Sequence, residues 1–250
     1  MTKVPHHELS AMDTTREIED TSMNKRLDII DHVRKKVSGI SLNLSPFPHV
    51  FIENIFTESF RQKMRSSFQT EEFHCYFEGA VPVHHITQSS SGFLRFFKEE
   101  ILSNCLVPQF NEFFSEYESE KVSTLIRDGH QFNALEEPVF ESIYLALNRK
   151  GGSIRPHLDS YWASYQFVFY VGDAEDRPSP TTDLIDARAA RYVNEKVIDG
   201  QFVSNYGSSK NGLIAFINSD HSWHGLSEPL LHDRFTVCVS VHRYIKTSSS

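Results

Sequence analysis

The sequence predicts a mainly β domain with flanking helices, an α+β chain in which the helices come first and the sheet second. Three observations predict it. Apolar residues recur at helical spacing in the first half, short β-rich runs separated by turn residues follow Glu137-Pro138, and 250 residues can bury a full core in one unit. Residues 1–22 read as a flexible N-terminal tail. Residues 23–246 read as a single domain, with helices in 23–135 and a β core in 138–246.

The N-terminal stretch is polar and aperiodic, as is the Ser-rich end Thr247–Ser250. From Met23 to Val37, Leu27, Ile30, Val33 and Val37 share one helical face before Gly39 ends the pattern. Ser45–Phe56 is a Pro-bounded extended stretch leading into a strand. Thr57 is then placed to cap a helix whose Phe60, Met64 and Phe68 fall at i, i+4 and i+8. Another helical pattern follows Ser91 through Phe93, Phe96, Phe97, Ile101 and Leu102. Pro108 should kink or break it, with a shorter helix resuming through Phe113 and Phe114. Strands are expected at Phe140–Asn148, Ser153–Asp159, Tyr165–Val171, Thr182–Ile185, Gly212–Ile217 and Phe235–Tyr244. Gly151-Gly152 reads as a turn, Gly172–Thr181 as a surface loop and Asp186–Lys196 as a short inserted helix.

Composition narrows the function classes. With 25 basic against 33 acidic residues, a net charge of −8 and no basic run, long-range attraction to phosphate backbones is not expected, so nucleic acid is not a predicted partner. Cys75, Cys105 and Cys238 form no CxxC pair, which argues against a disulfide framework and for a reducing compartment. The N-terminus lacks the apolar core of a signal peptide, and no segment approaches a membrane span. The expectation is a cytoplasmic protein with no membrane partner.

One constellation carries chemistry. In SIRPHLDSYW, His157 and Asp159 stand two apart in a strand-like run, so their side chains share a face and can grip one metal ion. NSDHSWHGLSEP offers the third ligand at His224. His221 competes with it; the Gly after His224, and Asp220 as a local partner for His221, favour His224. Two imidazoles and one carboxylate on one face suit a non-haem iron(II) site with open positions. Arg234 opens the apolar strand RFTVCVSV, where a buried cation needs an anionic partner, and Thr236 follows on the same face. The pair suits a dicarboxylate.

Taken in order, HLD (His157–Asp159), HG (His224-Gly225) and RFT (Arg234–Thr236) resemble the HxD…H…R-x-S/T pattern of the iron(II)/2-oxoglutarate dioxygenase superfamily over residues 140–245. The stretch SPFPHVFIENIF is similar to the opening strand of its prolyl-hydroxylase-like members. The resemblance implies a double-stranded β-helix, or jelly roll, with helices on one sheet. It implies an oxidoreductase that binds Fe(2+), 2-oxoglutarate and O2, releases succinate and CO2, and acts as a hydroxylase. The retained Asp159 sets the chain apart from halogenating relatives, which replace that carboxylate with a small residue. The resemblance also places 2-oxoglutarate contacts on the strand after HxD, where Gln166 and Tyr170 share a face. By position alone, Tyr144, Asn148, Arg155 and Trp162 are substrate-side residues.

Other readings stand beside these. His157 and Asp159 could be a core histidine and a turn residue, and Arg234 a structural ion-pair member. His84-His85 reads as a solvated loop, and Cys238 as a buried small apolar residue. The alternative function is a cupin-like metal-binding isomerase or a non-catalytic ligand-binding barrel. The acidic balance favours a small-molecule substrate, such as an amino acid or sugar, over a peptidyl residue. Arg149, Lys150 and Arg155 point to an anionic one.

Overall fold

In the computed structural model of this chain, helices precede and then back a β core. The described residues are 23–75, 81–87, 90–127, 131–159, 163–186, 192–193, 196–197, 201–204, 206–226 and 228–246. The two terminal tails and Trp162 lie outside them.

Helix α1 (Met23–Ser38) buries Val33 and Val37 completely, as its periodicity requires. The extended stretch after it ends in β1 (His49–Glu53). Helix α2 (Glu58–Thr70) starts at Thr57, whose hydroxyl accepts from the Phe60 N–H, and buries Phe60, Met64 and Phe68. A short strand, β2 (Val83–His85), follows. Ser91 caps α3 (Gly92–Phe96), which continues as a π-helical segment, Phe97–Leu106, into α4 (Val107–Arg127).

The break expected at Pro108 does not occur. Ten residues of wider π turn precede it, with Val107 N–H donating back to Leu102 O. In that register the carbonyl one α turn upstream is displaced from the proline ring, and the missing N–H falls at the register change. The helix runs on through Phe110 and Phe114, both fully buried.

The strands are β3 (Phe132–Asn148), β4 (Tyr165–Asp173), β5 (Ser179–Pro180), β6 (Asp183–Asp186), β7 (Tyr192–Val193), β8 (Lys196–Val197), β9 (Gln201–Ser204), β10 (Ser208–Ser209), β11 (Gly212–Ile217), β12 (His224–Gly225) and β13 (Arg234–Lys246). An antiparallel sheet of six runs β1-β11-β4-β13-β3-β2, and a smaller one runs β12-β6-β9. Strand β3 begins before the Glu137-Pro138 boundary. The pairing with β13 shifts register between His242 and Tyr244, opposite the stretch holding Pro138, where a residue without an N–H is tolerated.

Alternation along the large sheet divides labour between its faces. Phe167, Phe169 and Val171 of β4 and Val237, Val239 and Val241 of β13 join the helices in one apolar cluster that extends back to Val33. Each large buried side chain there contributes about 1.5–3 kcal/mol. The intervening residues, Gln166 and Val168 on β4 and Arg234, Thr236, Cys238 and Ser240 on β13, face a cavity instead.

Two further expectations are corrected. Ser153–Asp159 is not a strand; only His157 makes a bridge, to His224, because Gly151-Gly152 and Pro156 leave no continuous ladder. The described parts of Asp186–Lys196 are not helical. Tyr192–Val193 pairs with Lys196–Val197 in a β ladder, as β-branched and aromatic residues favour; the remainder lies outside the described residues.

Helix α2 is tied to the end of β4 by Arg61. Its fully buried guanidinium bonds Glu58, Asp176 at 2.7 Å and the Val171 carbonyl at 3.1 Å. The guanidinium, opposed by some burial, pulls the Glu58 and Asp176 carboxyls from 4.5 and 3.8 down to about 2. Arg61→Met should cost about 2–3 kcal/mol, less than the roughly 3–5 kcal/mol of a fully buried pair because both carboxylates keep water contact. Carboxyls depressed by folding add stability above their unfolded pKa and lose it as pH falls through the folded one. Urea denaturation across pH should therefore find the whole difference above about pH 5 and its closure toward pH 2.

Candidate functional site

The site is assembled by one pair of backbone bonds. His157 N–H donates to His224 O at 2.9 Å and His224 N–H to His157 O at 3.1 Å, so the two imidazoles lie side by side, 4.4 Å between ring centres. Each ring is oriented from behind. The Nδ1 of His157 lies 2.9 Å from Arg155 O and that of His224 lies 3.0 Å from Ser222 O, so each Nδ1–H donates to a carbonyl and each Nε2 lone pair points forward.

Both Nε2 atoms point at one carboxylate. Asp159 Oδ1 is 3.5 Å from His157 Nε2, and Asp159 Oδ2 is 3.4 Å from His224 Nε2. All the donor atoms lie within 4.8 Å of one another. Ligands bound at about 2.1 Å to a shared ion stand about 3 Å apart at right angles, so the set needs only a slight contraction around a metal. Burial opposes ionisation of Asp159, but the two imidazoles outweigh it and hold its carboxyl well below the usual range. Burial also opposes protonation of His157, and there Asp159 outweighs it, raising the pKa.

Gly225 permits the bridge. A Cβ on it would stand 2.7 Å from Ile154 O and 3.0 Å from Pro156 N, both backbone atoms. Gly225→Ala must push the 154–157 segment away. It should cost roughly 1–3 kcal/mol in thermal unfolding, as overpacking does, and weaken divalent-metal binding about 10–100-fold in titrations, as a misoriented ligand does.

The triad opens into a cavity of about 380 Å³ between the two sheets. Arg234, 2% exposed, lines its wall. One Nη1–H donates to Pro180 O at 3.0 Å, while Nε has no partner and no carboxylate lies within ion-pair distance among the described residues. Burial lowers its pKa, as expected of a cation lacking a counterion. Thr236 lies beside it on the same face, its hydroxyl accepting from Asn148 Nδ2 at 3.2 Å.

The other predicted residues divide. Gln166, Tyr144 and Asn148 line the cavity; Gln166 accepts from Ser240 Oγ at 2.8 Å. Tyr170 does not line it: fully buried, it gives its hydroxyl proton to Thr182 Oγ1 at 2.7 Å, and its ring lies 5.9 Å from the Arg234 guanidinium carbon. Thr182 lines the cavity in its place. Arg155 is exposed and off the wall, because the chain there bends instead of alternating as a strand. Arg149 points to Asp233 at 2.8 Å. His221 is exposed and paired with Asp220 at 3.4 Å, away from the triad.

His85 was not foreseen. The pair His84-His85 sits on edge strand β2, not in a loop, so alternation sends the two rings to opposite faces. His84 goes to Glu71 and the Glu72 carbonyl, while His85 goes to the cavity rim 5.6 Å from the Tyr144 ring. The run VPVHH held the signal in its alternating valines. Cys238 does sit in a strand, but on the cavity face, where burial first and Asp159 second push its thiol up to about 11.

No protein-family model matches the chain, and no curated protein matches its sequence. Solved structures match its fold. A prolyl-4-hydroxylase from Pseudomonas putida superposes with a TM-score of 0.55 at 13% identity, covering 84% of this chain and 98% of that one. HygX from Streptomyces hygroscopicus, bound to nickel and 2-oxoglutarate, does so with a TM-score of 0.51 at 10% identity, covering 78% and 82%. At such identities the likeness shows the fold, and that fold is the jelly roll of 2-oxoglutarate oxygenase structures. Among the described residues no helix is long and apolar enough to cross a membrane.

Proposed function

We propose that this chain is an iron(II)- and 2-oxoglutarate-dependent dioxygenase that hydroxylates an uncharged group of its substrate. One observation carries the reading: a forward-facing His-Asp-His set and a buried guanidinium with no acid partner among the described residues line the same cavity. The donor set fits ferrous iron, being two imidazoles and a carboxylate with room on one side. The orphaned Nε of Arg234 fits the distal carboxylate of a diacid.

In this reading His157, Asp159 and His224 hold the metal, and Arg234 with Thr236 holds 2-oxoglutarate. Iron and co-substrate together supply the oxidising power, dioxygen being reduced as 2-oxoglutarate loses CO2 to become succinate and a substrate C–H becomes C–OH. The protein positions and shields. The carbonyls of Arg155 and Ser222 keep each Nδ1 protonated, so Nε2 remains the ligand atom. Asp159 stays ionised for the metal. Residues 23–246 act as one domain, since a continuous apolar cluster joins α1 to β13.

The lining also describes the substrate. Among the described residues it holds no lysine, no arginine except Arg234 and no carboxylate except Asp159. Once those bind co-substrate and metal, what remains includes an apolar set (Val81, Val83, Ile154, Val168), the neutral polar groups of Tyr144, Asn148 and Gln166, and the His85 imidazole at the rim. A fully charged group would meet no lysine, further arginine or further carboxylate there among the described residues. None of Arg149, Lys150 and Arg155, which point to an anionic substrate by sequence, lines the cavity, and a neutral small molecule fits best. The test is anaerobic addition of iron(II) and 2-oxoglutarate. A visible charge-transfer band should form, with succinate released once oxygen is admitted; absence of both would reject the proposal.

A further inference from the structure

We propose that a groove between α1, α2 and α3, remote from the metal-type triad, binds an amphipathic monocarboxylate, a hydrocarbon chain with one anionic head. The groove holds about 420 Å³, with Ile29, Phe60, Phe93 and Phe96 as its apolar lining. Its cations are Lys25, Arg26 and Lys63, and Asp28 is the only acidic group among the described lining residues, so three positive charges against one leave a surplus of two.

No carboxylate among the described residues lies within ion-pair distance of Lys25, Arg26 or Lys63. Two of them instead lie near aromatic rings of the groove: the Arg26 guanidinium carbon is 5.4 Å from the Phe96 centroid, and Lys63 Nζ is 5.3 Å from that of Phe93. Glu58, the nearby acid at the start of α2, is engaged by Arg61. Thr57 and Ser59 bring the N-terminal end of α2 to the same groove, adding partial positive charge.

The arrangement selects its ligand by charge and polarity together. A neutral lipid would leave the cations unanswered, and a small polyanion would leave the phenylalanines wet. A chain with a single carboxylate satisfies both. The groove shares no lining residue with the triad cavity, so the inference stands apart from the proposed catalysis.

The experiment is isothermal titration of the full chain with dodecanoate below its micellar concentration, with dodecyl maltoside as the neutral control. One saturable dodecanoate site should appear, tighter than the maltoside and unchanged by 2-oxoglutarate. Arg26→Glu with Lys63→Glu should weaken it by about tenfold or more, since both side chains are exposed and the fold is spared, while Arg26→Lys with Lys63→Arg retains it. The proposal is overturned by no saturable binding, by equal binding of the neutral chain, by loss in 2-oxoglutarate, or by indifference to charge reversal.

Discussion

Arg234→Met should abolish 2-oxoglutarate binding and yet leave the ligand-free protein as stable as the wild type, or slightly more so. The two halves of this result come from one fact. The guanidinium is buried with its Nε unpaired and no carboxylate within reach among the described residues, so in the free protein it carries a desolvation cost with little return beyond its bond to Pro180 O. Replacing a poorly compensated buried charge with an apolar side chain of similar volume is often neutral or stabilising. A diacid would reverse the balance, because its far carboxylate would supply the partner that the buried guanidinium lacks among the described residues. Losing one partner of such a pair costs about 2–5 kcal/mol of affinity. Thermal unfolding reads both halves. At about 100 times its Kd, 2-oxoglutarate should stabilise the wild type by about 2.7 kcal/mol, and the variant not at all at the same concentration. A variant much less stable without ligand would mean that Arg234 is a structural group.

His157→Ala and Asp159→Ala should each cut iron-dependent succinate formation by roughly 100-fold or more, since even outer-shell partners of metal ligands are worth about 10–100-fold. The charge-transfer band should vanish with it. His221→Ala, three residues before His224, should change neither, because that ring is exposed and faces Asp220. Asp159→Ala separates chemistry from folding. It removes the carboxylate that both Nε2 atoms face, but leaves the His157–His224 backbone bridge intact. Retained stability with lost turnover is the expected pattern.

The site was legible where local rules are strong. An HxD pair, a histidine followed by glycine, and an arginine opening an apolar strand are features of a few consecutive residues. The cavity-facing position of Arg234 and Thr236 follows from an alternation that the β13 run displays openly, whereas His157 and Asp159 reach the cavity through the bridge to His224. The helices were equally plain, because Thr57 and Ser91 are capping residues followed by phenylalanines at helical spacing. The errors came where a neighbour in space decides the outcome. Pro108 fits its helix because the residues before it adopt a π register. Ser153–Asp159 meets another segment at one bridge only, His157 to His224, and so does not run as a strand. Position alone places Arg155 at the site and alternation places Tyr170 there, but the chain at Arg155 is not a strand and Thr182 takes the Tyr170 hydroxyl.

By itself, then, the chain's order of residues determined the α+β class and singled out His157, Asp159, His224 and Arg234, which the fold brings to one cavity, since each stands out by side-chain chemistry and short-range pattern. Only the tertiary structure decided which cavity-facing groups remain unpaired, that His85 joins the rim, and that Gly225 must lack a Cβ. Those are properties of contacts between segments far apart in sequence, where packing and desolvation act on pairs that no local pattern brings into view.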